Sequence, residues 1–459
     1  MIRSYRTSWL VFAGMLLLVA CFGLAESFLT QWRDLNGTES LGKLGVNADL
    51  SADPSGSAQL TLQEADKLVG KWGRPAFYSA RTVDAVSSGD KRTEADVFGV
   101  SALYDRFANF PLVRGSLLTG RSIVEHARVV LISSDLADKL FRTRDVVGMP
   151  MQIMGATFKI VGVYEASTSL LHKMTDNGKP DLLVPVTTLT ELRPSIRVSA
   201  IELQAGPGAV ITGETEVRNA LAAIGISPSG YRIVNYAAER DWIAQMPKLL
   251  LAAVGLAGIG WSVRLVIGRI RKIGRQLRRG LAAEDWPDVL RSHWKTLAAD
   301  LAAIAALLAS MLAIWLAIRH RYYIPARLFP EELIDWSFYR DLWLAEWRRQ
   351  VAAMGYVATP GELIHMRVEL LVGRLTCTGL LAGLPLVWIG LRQWALEGVD
   401  LAAGIVRLAA YTCAAAVISA VAAQLAGTDY VIRPQDLFVI VCMPVLGALA
   451  QNAANRRRR

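Results

Sequence analysis

Six blocks of apolar residues punctuate the chain, separated by polar sequence of very unequal length. A spanning helix needs about 20 mostly apolar residues, because each adds about 1.5 Å across a hydrocarbon core of about 30 Å. By that measure spans are predicted at 9–28, 249–268, 297–318, 370–391, 401–425 and, shorter than the others, 437–449. Arg264, Arg374 and Arg407 fall within a turn or two of predicted helix ends. There the side-chain stem can lie along the helix while the guanidinium reaches the headgroups.

The longest polar interval, 30–246, lies between the first and second blocks and mixes periods of two and 3.6. A helix is predicted from Thr61, with Leu62, Ala65, Leu68 and Val69 on one face. Short apolar runs at 97–100 and 129–133 suit buried strands, and Ser134 is read as the cap of a helix carrying Leu136, Leu140 and Phe141. Runs at 151–153 and 158–164 flank Gly155 as a hairpin, 181–186 and 200–204 read as strands, and 214–224 reads as an amphipathic helix. The stretch 36–57, rich in Gly, Ser, Asn and Asp, is expected to be loop or poorly paired strand. These elements describe a mixed α/β domain.

A second polar interval, 319–368, places Trp336, Tyr339, Trp343 and Trp347 at spacings of three and four, with Asp341, Glu346, Arg348 and Arg349 between them. This predicts an amphipathic helix. It would either lie in the outer headgroup region, aromatic side toward lipid, or pack against the α/β domain.

Composition narrows the class. Of the 459 residues 53% are hydrophobic and 20% charged, below the roughly 25% usual in soluble domains. The net charge of +10 gathers beside the apolar blocks: Arg3 and Arg6, then Arg269, Arg271, Lys272, Arg275, Arg278 and Arg279, then Arg456 to Arg459. With six spans all three groups face one side, which makes that side cytoplasmic and places both termini there. The expected location is a bacterial inner membrane, with 30–246 periplasmic and no nucleic acid as partner. Cys21, Cys377, Cys413 and Cys442 all lie in apolar stretches, so the α/β domain must hold by packing without disulfides. Leu18-Val19-Ala20-Cys21 resembles a lipoprotein signal box, which would leave a lipidated Cys21; the apolar run continuing through Phe22, Leu24 and Ala25 fits an uncleaved anchor instead. His126 and His172 have no ligand at metal-type spacing, Ser133 and Ser134 lack a G-x-S-x-G setting, and no G-x-x-x-x-G-K-[ST] occurs. No catalytic residue, metal or cofactor is expected.

One motif series is specific. Gly99-Val100-Ser101, Leu112 with Gly115, Val129 to Ser133, Leu136-Ala137, Leu140-Phe141, Val147-Gly148 and Phe158 leading to Val161-Gly162-Val163 follow in order. This resembles the periplasmic core domain of MacB-like (FtsX-like) ABC transporter permeases, with Ser116 and Met149 where that family carries arginine and lysine. After the second span, Arg271-Lys272-Ile273-Gly274 and Gly280 are similar to the family's cytoplasmic stretch that contacts the ATPase. Lys272 stands where the family has an acid, Arg278 and Leu281 where it has alanines.

The resembled family usually has four spans; with the six predicted here, the fold class is an α-helical membrane protein of about six transmembrane helices, with a mixed α/β periplasmic domain inserted between helices 1 and 2. The expected divisions are 1–29, 30–246, 247–318, 319–368 and 369–459. The resemblance implies a permease subunit without its own nucleotide-binding motif, not an enzyme by itself. ATP-driven motion of a separate ATPase would be transmitted to the periplasmic domain for export or extraction of a substrate. Arg271, Lys272, Ile273, Gly274 and Gly280 would couple to that ATPase. The implied partners are the ATPase subunit, a second permease copy or paralogue, the lipid bilayer and a periplasmic adaptor. A membrane sensor or scaffold with a partner-binding periplasmic domain is the alternative, favoured by the extra spans and the altered coupling stretch.

Overall fold

The computed structural model describes residues 2–48, 59–165, 170–282, 285–324, 328, 335–352 and 360–458. The chain divides into a sheet unit, 30–243 with 323–368, and a helical unit, 1–29, 244–322 and 369–459.

The sheet unit holds one sheet of ten strands: β1 (Lys43–Ala48), β2 (Ala76–Ser88), β3 (Lys91–Val100), β4 (Leu112–Gly115), β5 (Val129–Ser133), β6 (Pro150–Ile153), β7 (Ala156–Tyr164), β8 (Asp181–Pro185), β9 (Ala200–Gln204) and β10 (Tyr231–Asn235). The order is β10-β1-β9-β2-β3-β8-β5-β7-β4, and β6 bridges β7 back to β2. The long strand β2 makes this closure: Ala76 to Ser79 pair with β9, Ser79 to Ser88 with β3, and Val86 and Ser87 with β6. Pairs β3/β8 and β5/β7 are parallel, and the other pairs are antiparallel.

Because side chains alternate across a pleated strand, each strand serves two clusters. Val130, Ile132, Leu182 and Val184 join Leu44, Val46, Leu203 and the helix residues Leu68, Leu136 and Val217 in the main core. Their neighbours Leu131 and Leu183 point the other way, with Phe77, Val100 and Tyr164, and meet Tyr104, Phe107 and Leu118 in a second cluster.

Local chemistry sets the element ends. Thr61 and Glu64 form a reciprocal capping box at the helix Leu62–Trp72: Thr61 Oγ1 accepts from the Glu64 N–H and Glu64 Oε2 from the Thr61 N–H. The helix Ser134–Phe141 is capped by Ser133, whose Oγ accepts from the Leu136 N–H at 3.3 Å, and not by Ser134. β5 runs into this helix without a loop, so the last strand residue takes the cap role. Gly115, in the motif series, has φ +82° and lies against the Val161 backbone where β4 meets β7. A side chain there would be strained and would meet that backbone.

Within 36–57, expected to be loop or poorly paired strand, residues 43–48 form β1, a strand paired on both sides and buried along its whole length between β9 and β10. Residues 49–57 lie outside the described residues. β1 hides from a hydrophobic pattern because its second face carries Lys43, Gly45 and Asn47, polar or small yet enclosed. β2, the first half of β3 and β10 carry no sustained alternation: β2 mixes polar and apolar residues on both faces, and β3 opens on the polar run Lys91 to Glu94. The helix expected at 214–224 begins earlier, at Ala209.

Among the described residues, six helices are long and apolar enough to cross a membrane: Ser8–Asp34, Tyr236–Gly280, His293–Ile318, Gly361–Glu397, Leu401–Leu425 and Pro434–Gln451. The fourth contains a π-helical turn, Gly379–Gly383, just before Pro385. Proline lacks the N–H and crowds the carbonyl four residues back, and the widened turn relieves both. The same turn carries Gly379-x-x-x-Gly383 against the first helix. A Cβ on Gly383 would sit 2.8 Å from Leu18 Cγ, and one on Gly379 3.0 Å from Cys21 Cβ. Small residues allow this backbone approach between spans. Glu26 and Arg433 pair at 2.7 Å, and the Tyr430 hydroxyl donates to the Val19 carbonyl at 2.9 Å, tying the segment before the sixth helix to the first. Arg264, Arg374 and Arg407 are all exposed. The predicted aromatic helix is present as Trp336–Ala352, with Trp336, Tyr339, Trp343 and Trp347 exposed and the last two tryptophans stacked.

Two substitutions test this packing. Leu44→Ala is expected to destabilise the sheet unit by about 2–5 kcal/mol, read as a lower denaturant midpoint in pulse proteolysis of the full chain; an unchanged midpoint would mean that β1 is not core. Gly383→Leu is expected to lower the thermal midpoint of the detergent-solubilised chain, whereas Gly373→Leu, where a Cβ meets open space, is expected to leave it within about 1 °C.

Candidate functional site

Five neighbouring strands, in the order β1, β9, β2, β3, β8, form the floor of a cavity of about 260 Å³ within the sheet unit. Period-two alternation delivers its lining: Lys43 and Asn47 from β1, Glu202 from β9, Phe77 and Ser79 from β2, Phe98 and Val100 from β3, Asp181 and Leu183 from β8. Trp32, Tyr104, Phe107, Phe110, Tyr236 and Ile364 cover it. With Tyr164, eight aromatic rings face this space.

The polar groups are few and differently employed. Lys43 is 3% exposed; its Nζ donates to Glu202 Oε2 at 2.6 Å and to the Phe107 carbonyl at 3.1 Å, and lies 5.5 Å from the Tyr236 ring centroid. Its charge is therefore fully committed. A buried ion pair of this kind holds because its spare donor is also satisfied. Asp96, 1% exposed, accepts from Arg81 at 3.0 Å and from Asn177 at 2.6 Å. Asp181 is Asp96's register partner on β8, yet it makes no hydrogen bond or ion pair among the described residues. Burial, then the nearby Asp96, push its carboxyl up to about 7, with Arg81 pulling the other way.

Part of the cover belongs to the helix beginning at Pro360, which contributes Gly361 and Ile364. On that helix Glu362, 2% exposed, lies 3.7 Å from Arg232. His365 stacks on Trp32, with centroids 5.4 Å apart, and its Nε2 is 3.7 Å from Glu239.

The predicted coupling residues all lie near the end of one helix, Tyr236–Gly280. Lys272 Nζ donates to Asp300 Oδ2 and Arg269 Nη1 to Asp300 Oδ1, each at 2.8 Å. Residues 269 and 272 are one turn apart, so a single buried carboxylate on the next helix, Trp286–Ile318, receives both. This accounts for a base at 272: an acid there would face Asp300. A Cβ on Gly280 would come 2.7 Å from Val289, whereas one on Gly274 would meet open space. Arg271 is exposed and Ile273 half-buried. Thus Lys272 and Gly280 make defined contacts with the next helix.

Sequence reasoning missed Asp300, Asp181 and the Lys43–Glu202 pair. Asp300 carried a signal: an acid inside an apolar run, with two bases a turn apart on the preceding helix. Asp181 and Lys43 carried none, because only strand register reveals which residues share a face.

Comparison with known proteins places this architecture. The family described as the MacB-like periplasmic core domain matches residues 10–220. The match ends before the coupling stretch. The macrolide export ATP-binding/permease protein MacB of Syntrophobacter fumaroxidans (strain DSM 10017 / MPOB) is 22% identical over 139 residues, which is 29% of this chain and 19% of that protein. The extracellular domain of the noncanonic ABC-type transporter YknZ from Gram-positive bacteria aligns at 18% identity, over 42% of this chain and all of that one, with a TM-score of 0.35. The periplasmic region of MacB from Actinobacillus actinomycetemcomitans aligns at 15% identity, over 46% of this chain and 94% of that one, with a TM-score of 0.38. With six membrane-type helices and a match to the MacB-like periplasmic core domain over residues 10–220, this chain is similar to MacB-like permeases.

Proposed function

We propose that this chain is the permease subunit of a MacB-like ABC transporter and works with a separate ATPase. ATP-driven movement of the ATPase would act on the Arg269–Gly280 end of the second span and pass along that helix to the periplasmic domain. A substrate would thereby be exported or extracted. In this reading the protein sits in a bacterial inner membrane with both termini cytoplasmic. Its parts are a first span (1–29), a periplasmic core (30–246), spans 2 and 3 with the coupling stretch (247–318), an extracytoplasmic loop (319–368) and spans 4 to 6 (369–459). Arg271, Lys272, Ile273, Gly274 and Gly280 are the proposed ATPase-facing set. A second permease copy or paralogue would complete the transporter, and a periplasmic adaptor could extend it.

The observation that carries the reading is the pair of salt bridges from Arg269 and Lys272 to Asp300, together with Gly280 packed on Val289. These contacts lock the end of one helix to the start of the next, so a push on the exposed Arg271 face moves two helices together. Arg271 and Gly274 remain exposed for a partner. The cavity in the sheet unit supports the sensor reading, in which ligand binding rather than transport is the output.

Affinity purification of the full chain from membranes is expected to bring down a nucleotide-binding subunit. Gly280→Leu is expected to lower the ATPase rate of that complex several-fold, because a branched side chain must displace Val289. A complex purified without any ATPase, or an unchanged rate in the Gly280→Leu variant, would count against coupling through this stretch.

A further inference from the structure

We propose that the cavity over β1, β9, β2, β3 and β8 binds a small organic cation, a compact amine or quaternary ammonium whose charge faces Asp181. This site is independent of the coupling stretch and stands whether or not an ATPase is bound.

Size limits the ligand first. An engineered cavity of about 150 Å³ accommodates benzene, so about 260 Å³ suits a molecule somewhat under twice that size. The lining sets its body: aromatic and aliphatic side chains dominate, with few polar groups to recognise a sugar or a peptide backbone. The lining charge sets its sign. Two carboxylates, Asp181 and Glu202, meet one cation, Lys43, and Lys43 is already bonded to Glu202 and to a carbonyl. An anion would find the charge of Lys43 already neutralised by Glu202. A neutral ligand would shut out water from Asp181 and replace it with nothing. A cation would supply Asp181 with a counter-charge and would also sit among ring faces that attract positive charge.

The same geometry makes binding depend on pH. Asp181 is faced by Asp96 from β3, Arg81 from β2, Asp176 from the segment before β8, and Asp135 from the helix after β5. The Lys43–Glu202 pair in the same lining neutralises itself. With Asp181 raised to about 7, a proton competes with the ligand below neutrality. Affinity for a permanent cation is therefore expected to rise by up to about tenfold from pH 6 to pH 8, as the ionised fraction grows.

Equilibrium dialysis of the full chain in detergent micelles, against empty micelles, tests this with a matched pair of probes. Benzyltrimethylammonium and neopentylbenzene have the same shape and differ by one charge. Saturable binding of one cation per chain is expected, at least tenfold tighter than the neutral isostere and tighter at pH 8 than at pH 6. Asp181→Asn should remove the charge preference and the pH dependence while leaving binding of neopentylbenzene unchanged. Ser79→Leu, which fills the floor, should weaken both probes. Circular dichroism and gel filtration would establish that both variants are folded. Equal affinity for the two probes, a cation preference that survives in Asp181→Asn, or no saturable binding at all would overturn the proposal.

Discussion

The alternation of side chains across one sheet is the constraint on which the sheet unit depends. Because β5 and β8 are flanked on both sides by other strands, every second residue must satisfy a different environment. Leu182 and Val184 close the main core, while Asp181 and Leu183 face the second cluster and the cavity. A one-residue slip of register would exchange these sets and bury Asp181 among leucines. β2 fixes the register by pairing with β9, β3 and β6 in turn, so the ring that it closes protects both faces.

Charge in this protein is placed where a neighbour commits it. Lys43 is held by Glu202, Arg81 by Asp96, Arg433 by Glu26, and both Arg269 and Lys272 by Asp300. Each pair joins two different elements, and in each one partner is largely buried, so removing its counter-charge would cost more than breaking an exposed pair. Asp181 stands apart because it faces a cavity instead of a partner. The same logic explains the departure at Lys272, where the base answers the carboxylate of Asp300.

What could be read in the sequence follows from how local each signal is. The six membrane helices were visible because a spanning run needs no partner to declare itself. Strands such as Val129–Ser133 and the helix after Thr61 were visible because their apolar residues repeat at a clean period. β1 was invisible because Lys43 and Asn47 are buried by pairing across 159 residues of sequence in one case and by enclosure in the other. The second helix is longer than its apolar run because its basic end stays helical through Gly268 and Gly274 as far as Gly280. The cap at Ser133 shows the same limit on a smaller scale: two adjacent serines differ only in which one ends the strand. Of the coupling stretch, the residues were legible but their contacts were not, because Asp300 and Val289 belong to the next helix.

The proposed topology puts the periplasmic core and the basic Arg269–Gly280 helix end on opposite sides of the membrane. Its most direct test is cysteine labelling of the full chain in intact cells, after Cys21, Cys377, Cys413 and Cys442 are replaced by serine. A membrane-impermeant maleimide is expected to label Asp90→Cys, in the β2–β3 turn, without permeabilisation, and Arg279→Cys only after it. Labelling of both positions in intact cells, or of Arg279→Cys alone, would contradict the account.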